Sequence, residues 1–169
     1  MTLDYPPNRL EWQLERLQEV PVFARNWFRS VVMRRAVPFA GTAGLDFLQV
    51  TTDCAEVRIK NVKKVQSQTG AVHTSAINLL AETATGVVVG MNVRDDCIPQ
   101  VKTLKMVFKA PVTGALRAVA TLTAAQKALM RSAESGEVNV AVSVTDEAGI
   151  NPVECEFVWA WTLSGTPKL

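Results

Sequence analysis

The sequence predicts an α+β fold in which an antiparallel sheet wraps around one long apolar helix, with two additional helices at the amino terminus. Three observations carry this expectation. Residues 73–90 are nearly all small or apolar, and Ala76, Leu79, Leu80, Ala84, Val87 and Val88 recur at spacings of three and four, the mark of a buried helix. The later strand-like segments, 101–110, 115–122, 138–146 and 152–163, are joined mostly by short turns and do not alternate with crossover helices. A length of 169 residues suits a single domain with one core, so the sheet and the helix should close on each other.

The elements follow in order. Residues 8–20 place Leu10, Leu14 and Leu17 on one side, with Glu11, Glu15, Arg16 and Glu19 between them, behind Pro6, Pro7 and Asn8. This reads as an amphipathic helix that ends at Pro21. A second helical pattern runs through Phe23, Trp27, Phe28 and Val31 to Pro38, after which 38–44 reads as a loop. From Leu45 the pattern becomes β. Leu45, Phe47 and Val50 lead through a Thr-Thr-Asp turn into residues 54–60, where Ala55, Val57 and Ile59 alternate with Glu56, Arg58 and Lys60. The polar stretch 61–70 separates this hairpin from the apolar helix. Residues 124–135 read as a short helix between strands, and Asp146 to Gly149 as a turn.

A formal net charge of +2 is too small to suggest a nucleic-acid partner. Cys54, Cys97 and Cys155 are odd in number and without a CxxC pair, which predicts neither a disulfide framework nor a metal site and fits the reducing cytoplasm. No stretch approaches the roughly 20 apolar residues of a membrane span, and the first residues lack the layout of a signal peptide.

Glu82 is the lone charge on the apolar helix. A buried, unpaired carboxylate is costly, so this side chain must face a cleft, a partner or a neighbouring subunit, or else be held in an ion pair. Gly70, His73 and Glu82 are spaced three and nine apart, and residues 102–114 place Phe108, Pro111 and Gly114 at successive threes. With the element order, these positions resemble the hotdog-fold acyl-CoA thioesterases of the phenylacetate-pathway and 4-hydroxybenzoyl-CoA type, including a branch known only as thioesterase-like. The likeness covers residues 44–163 and leaves 1–40 as a helical extension of a single domain.

The resemblance implies an acyl-CoA or acyl-carrier-protein thioester as substrate, coenzyme A only as part of that substrate, and a homodimer or dimer of dimers. It implies Glu82 as the catalytic carboxylate, the Thr74 N–H as oxyanion donor, and His73 shaping the loop. Gln68 or Gln66 would orient the thioester or the water, alongside Gly70, Ser67, Asn61 and Thr103. Lys64 and Lys102, among the lysines at 60, 63, 105 and 109, would receive the phosphates. The chain departs from the family in carrying Thr74 and Ser75 where two glycines are usual. That departure keeps open a second reading, a non-catalytic module that binds an acyl chain or acyl-CoA. The tryptophans, at 12, 27, 159 and 161, predict that the amino-terminal helices pack on the last strand.

Overall fold

The computed structural model describes residues 6–16 and 20–165, so Leu17 and Glu19 of the first predicted helix lie outside the described residues. Helix α1 (Arg9–Glu15) is capped by Asn8, whose Oδ1 accepts the Glu11 N–H at 2.9 Å. The Asn8 amide also donates to the carbonyls of Gly90 and Val93 at 2.8 and 2.7 Å. Glu11 pairs with Arg131 at 2.9 Å, both side chains largely buried, so α1 is fastened at two points. Helix α2 (Val22–Ala36) is followed at once by α3 (Pro38–Ala43). The expected loop at 38–44 is therefore a helix. Proline is tolerated in a helix's first turn because the missing N–H would be unpaired there, and Gly44 ends the helix with φ of 78°.

Strands β1 (Asp46–Val50) and β2 (Cys54–Ile59) form the expected hairpin, and α4 (Thr74–Gly90) is the long apolar helix. The remaining elements are β3 (Cys97–Phe108), β4 (Leu116–Thr121), α5 (Ala124–Ser132), β5 (Gly136–Asp146) and β6 (Val153–Leu163). One six-stranded antiparallel sheet runs β1-β2-β4-β5-β6-β3 and curves about α4, which touches β2 to β6. Ile77, Leu80, Ala84 and Val88 of α4 are buried against inward residues such as Val57, Ala118, Val140 and Phe157. β3 begins four residues before the pattern predicted. Pro99 hides this start, since proline argues against a central strand, but β3 is an edge strand and tolerates it.

The two sheet edges differ. Helix α2 packs on β1, whereas among the described residues no element pairs with the outer side of β3, along which Ile98, Leu104, Val107 and Phe108 are exposed. The tryptophans do not gather as expected. Trp12 and Trp27 are exposed, while Trp159 and Trp161 are buried on β6. The amino-terminal helices reach toward the last strand where Leu10, Met33, Ala36 and Val37 share a cavity with Trp159. Among the described residues, no helix is long and apolar enough to cross a membrane.

Trp161 is locked by donation from its indole N–H to the Ala133 carbonyl at 3.1 Å, and it lies flat on Gly136. A Cβ at residue 136 would stand 2.6 Å from the Trp161 ring. Gly136→Ala is expected to cost about 1–3 kcal/mol by overpacking. Urea denaturation checks this as a lower midpoint at unchanged slope.

Candidate active site

The loop before α4 is held by its own polar side chains. Gly70 turns it with φ of 83°, and its N–H donates to the Ser67 carbonyl at 3.0 Å. The Asn61 amide donates to the Gly70 carbonyl at 3.1 Å, while its Oδ1 accepts from Gln66 at 3.0 Å. Gln66 and Val72 form a bridge that aims the chain into α4, and His73 N–H donates to the Val65 carbonyl at 2.8 Å.

His73 is the N-cap of α4, its Nδ1 accepting the Ser75 N–H at 3.0 Å. That bond occupies the Nδ1 lone pair and makes His73 a loop-shaping residue. Thr74 is the first helical residue. Its N–H has no acceptor among the described residues and points out at the positive end of a helix of 17 residues.

Two open cavities lie along α4, and Leu79 lines both. The first, about 340 Å³, sits between α3 and the start of α4 and is lined by Phe39, Lys64, Gln66, His73 and Ser75. The second, about 280 Å³, is almost wholly apolar, with Leu10, Met33, Val37, Gly86 and Trp159 in its wall. Glu82 is its one ionisable residue. Its carboxylate has no hydrogen bond or ion pair among the described residues, and burial pushes its pKa up from the usual 4.5. The ion-pair alternative for Glu82 is thereby excluded among those residues.

The remaining expected residues divide by location. Lys64 lines the first cavity and donates to the Thr42 carbonyl at 2.8 Å. Gln68 is exposed on the turn, and the neighbouring Gln66 is the glutamine that faces the cavity. Ser67, Asn61 and Gly70 are occupied with building the loop. Thr103 and Lys102 lie exposed on β3, away from both cavities, and Lys102 pairs with Glu137. Lys60 and Lys109 are likewise paired, with Asp46 and Glu154.

Sequence reasoning passed over Asn78, one helical turn before Glu82, whose buried Oδ1 has no donor. Its spacing of four from Glu82 was the available signal. From the sequence, Gly86 reads as a small residue that lets the sheet close around the helix, and Trp159, with Leu79, Leu80, Val87 and Phe108, as a candidate lining residue of an acyl channel. Among the described residues, no three His, Cys, Asp or Glu side chains gather as a metal set.

A family model described as a domain of unknown function, DUF4442, matches residues 25–161. The chain belongs to the DUF4442 family. No curated protein matches it in sequence. Among solved structures, the DUF4442 chain is similar to a Pseudomonas aeruginosa protein described as a probable thioesterase, at 18% identity and TM-score 0.71, covering 80% of this chain and 93% of that one. It is also similar to a Haemophilus influenzae thioesterase at 12% identity and TM-score 0.61, covering 76% and 87%. A Staphylococcus aureus thioesterase mutant matches at 13% identity and TM-score 0.62, covering 75% and 99%. At these identities the likeness is one of fold, and it establishes the hotdog architecture for this DUF4442 protein.

The Glu82 environment has a consequence for stability. Its folded pKa lies above the unfolded value, so the native state holds the proton more tightly, and stability falls as pH rises from the unfolded through the folded pKa. Glu82→Gln should therefore be more stable than the parent at pH 7, with the difference vanishing below about pH 4. Urea denaturation at the two pH values reads this directly.

Proposed function

We propose that this protein hydrolyses an acyl-CoA or acyl-carrier-protein thioester, with Glu82 as the carboxylate that activates water. The observation that carries the reading is a half-buried carboxylate, unpaired among the described residues, whose pKa is raised by desolvation, in an apolar cavity next to one that carries Lys64, Gln66, His73 and Ser75 at the start of the same helix. Desolvation makes Glu82 a stronger base than a solvated carboxylate. In the reaction it accepts a proton from water as the oxygen attacks the thioester carbon. A helix amide holds the developing oxyanion, and as the C–S bond breaks the thiolate takes the proton back, giving free acid and thiol.

Thr74 and Glu82 of one chain do not serve the same carbonyl. Eight residues of helix separate them by about 12 Å along the axis. The donor is therefore assigned to Thr74 of a partner subunit, brought in by a two-fold pairing. The open edge of β3, with Leu104, Val107 and Phe108 exposed, is the surface that such a pairing would cover. Lys64 beside His73 supplies a cation at the mouth of the first cavity for the phosphates of the carrier.

Thiol release from a panel of acyl-CoAs tests the activity. Glu82→Gln should lower the rate at least about 100-fold. Thr74→Pro deletes the N–H at a position where proline is compatible with the helix, and should lower kcat by about 10²- to 10³-fold while the fold persists. Co-refolding the two inactive variants should restore roughly a quarter of the parent rate, because half of the dimers would carry one intact composite site. No recovery in the mixture would place both groups in one chain. Saturable acyl-CoA binding with no thiol release from the parent would make the protein a binding module instead.

A further inference from the structure

We propose that Leu10 and Trp159 gauge the acyl group, limiting the substrate to thioesters of medium-length apolar acids. This rests on the reading of the Glu82 cavity as the acyl site. The two residues come from opposite ends of the chain and reach the same wall of α4. Trp159 is fixed by its indole N–H, which donates to Thr85 Oγ1 at 3.0 Å, while that hydroxyl donates within the helix to the Ala81 or Glu82 carbonyl at 3.0 Å. The ring presses on Gly86, where a Cβ would stand 2.8 Å from its edge. Leu10 rests over Gly90 one turn further, at 3.4 Å from the corresponding Cβ position.

Two glycines in a buried helix cost about 1 kcal/mol each relative to alanine. Gly86 lets the tryptophan approach the backbone closely, while over Gly90 the leucine rests at ordinary van der Waals distance, both beyond Glu82 along the helix axis. Both side chains line the cavity that holds Glu82, and Met33 of α2 joins them. Leu10 cannot simply swing away, because Asn8 ties the start of α1 to Gly90 and Val93, and Glu11 ties it to Arg131. Leu10 also precedes the family-matched region, so this part of the wall belongs to the amino-terminal extension of this chain.

The size of the cavity gives the substrate class. A dry cavity of about 150 Å³ takes a benzene ring, so about 280 Å³ accommodates on the order of ten carbon atoms. Apart from Glu82 the lining offers an acyl chain almost nothing to hydrogen-bond, which disfavours hydroxylated or charged acids.

The test is calorimetric titration of S-alkyl-CoA thioethers, which resist hydrolysis, with alkyl chains of 2–16 carbons, into the full-length protein. Affinity should rise about three- to fourfold per carbon and stop rising near eight to ten carbons. Leu10→Ala and the conservative Trp159→Phe should each move that break upward by about two carbons. A break that stays in place in both variants, or an affinity independent of chain length, overturns the proposal. Thiol release is measured in parallel on the matching acyl-CoAs. A length gauge without turnover sinks the hydrolase reading and leaves the gauge standing, whereas turnover whose length profile neither variant moves sinks the gauge alone.

Discussion

A helix without a hydrophilic face cannot rest on the surface of a domain, and α4 is such a helix. Ten of its 17 residues are buried, from Ile77 to Val89. One flat layer would cover only one side of it, so the six-stranded sheet curves round it and the amino-terminal helices close in from the flank. The strand order follows from this wrapping. β4 lies beside β2, and β3 is carried past β6 to the far edge, leaving its outer side without a partner among the described residues. Edge exposure along β3 is thus a product of the way the sheet encloses α4.

The same enclosure gives Glu82 its chemistry. A carboxylate on the surface would titrate near its ordinary value and contribute little. On α4 it is half withdrawn from water, has no cation beside it among the described residues, and carries a pKa raised by burial. Asp146 shows the opposite outcome in the same molecule, since backbone N–H groups of Thr113, Ala148 and Ile150 hold its pKa down and commit it to a turn. Environment alone separates a carboxylate held in its charged form by backbone N–H groups from one whose charged form burial disfavours.

Much of this was legible in the residues because the signals were local. The spacing of Ala76, Leu80, Ala84 and Val88 marked α4, the alternation in 54–60 marked β2, and a lone charge on an apolar helix marked Glu82. What escaped was either ambiguous locally or made at long range. Pro38 ends one helix and begins the next, and only Gly44 shows which role dominates. Gln66 and Gln68 look alike until the bridge from Gln66 to Val72 turns one toward the cavity and leaves the other outside. Asn78 was hidden by its apolar neighbours. No local pattern could reveal that Leu10 and Trp159, 149 positions apart, line one cavity over Gly90 and Gly86.

The substitution of Thr74 and Ser75 for a glycine pair has a narrower effect than the sequence comparison implies. An N–H at the start of a helix belongs to the backbone and is presented whatever the side chain. Among the described residues, none other than glycine has a positive φ, so Thr74 sits there without strain. The Ser75 N–H is already taken by His73 Nδ1, which leaves that of Thr74 as the free donor at this end of α4. What two small side chains add is bulk beside it. The departure therefore bears on the space beside the helix end, and the free N–H and the positive end of the helix dipole are retained.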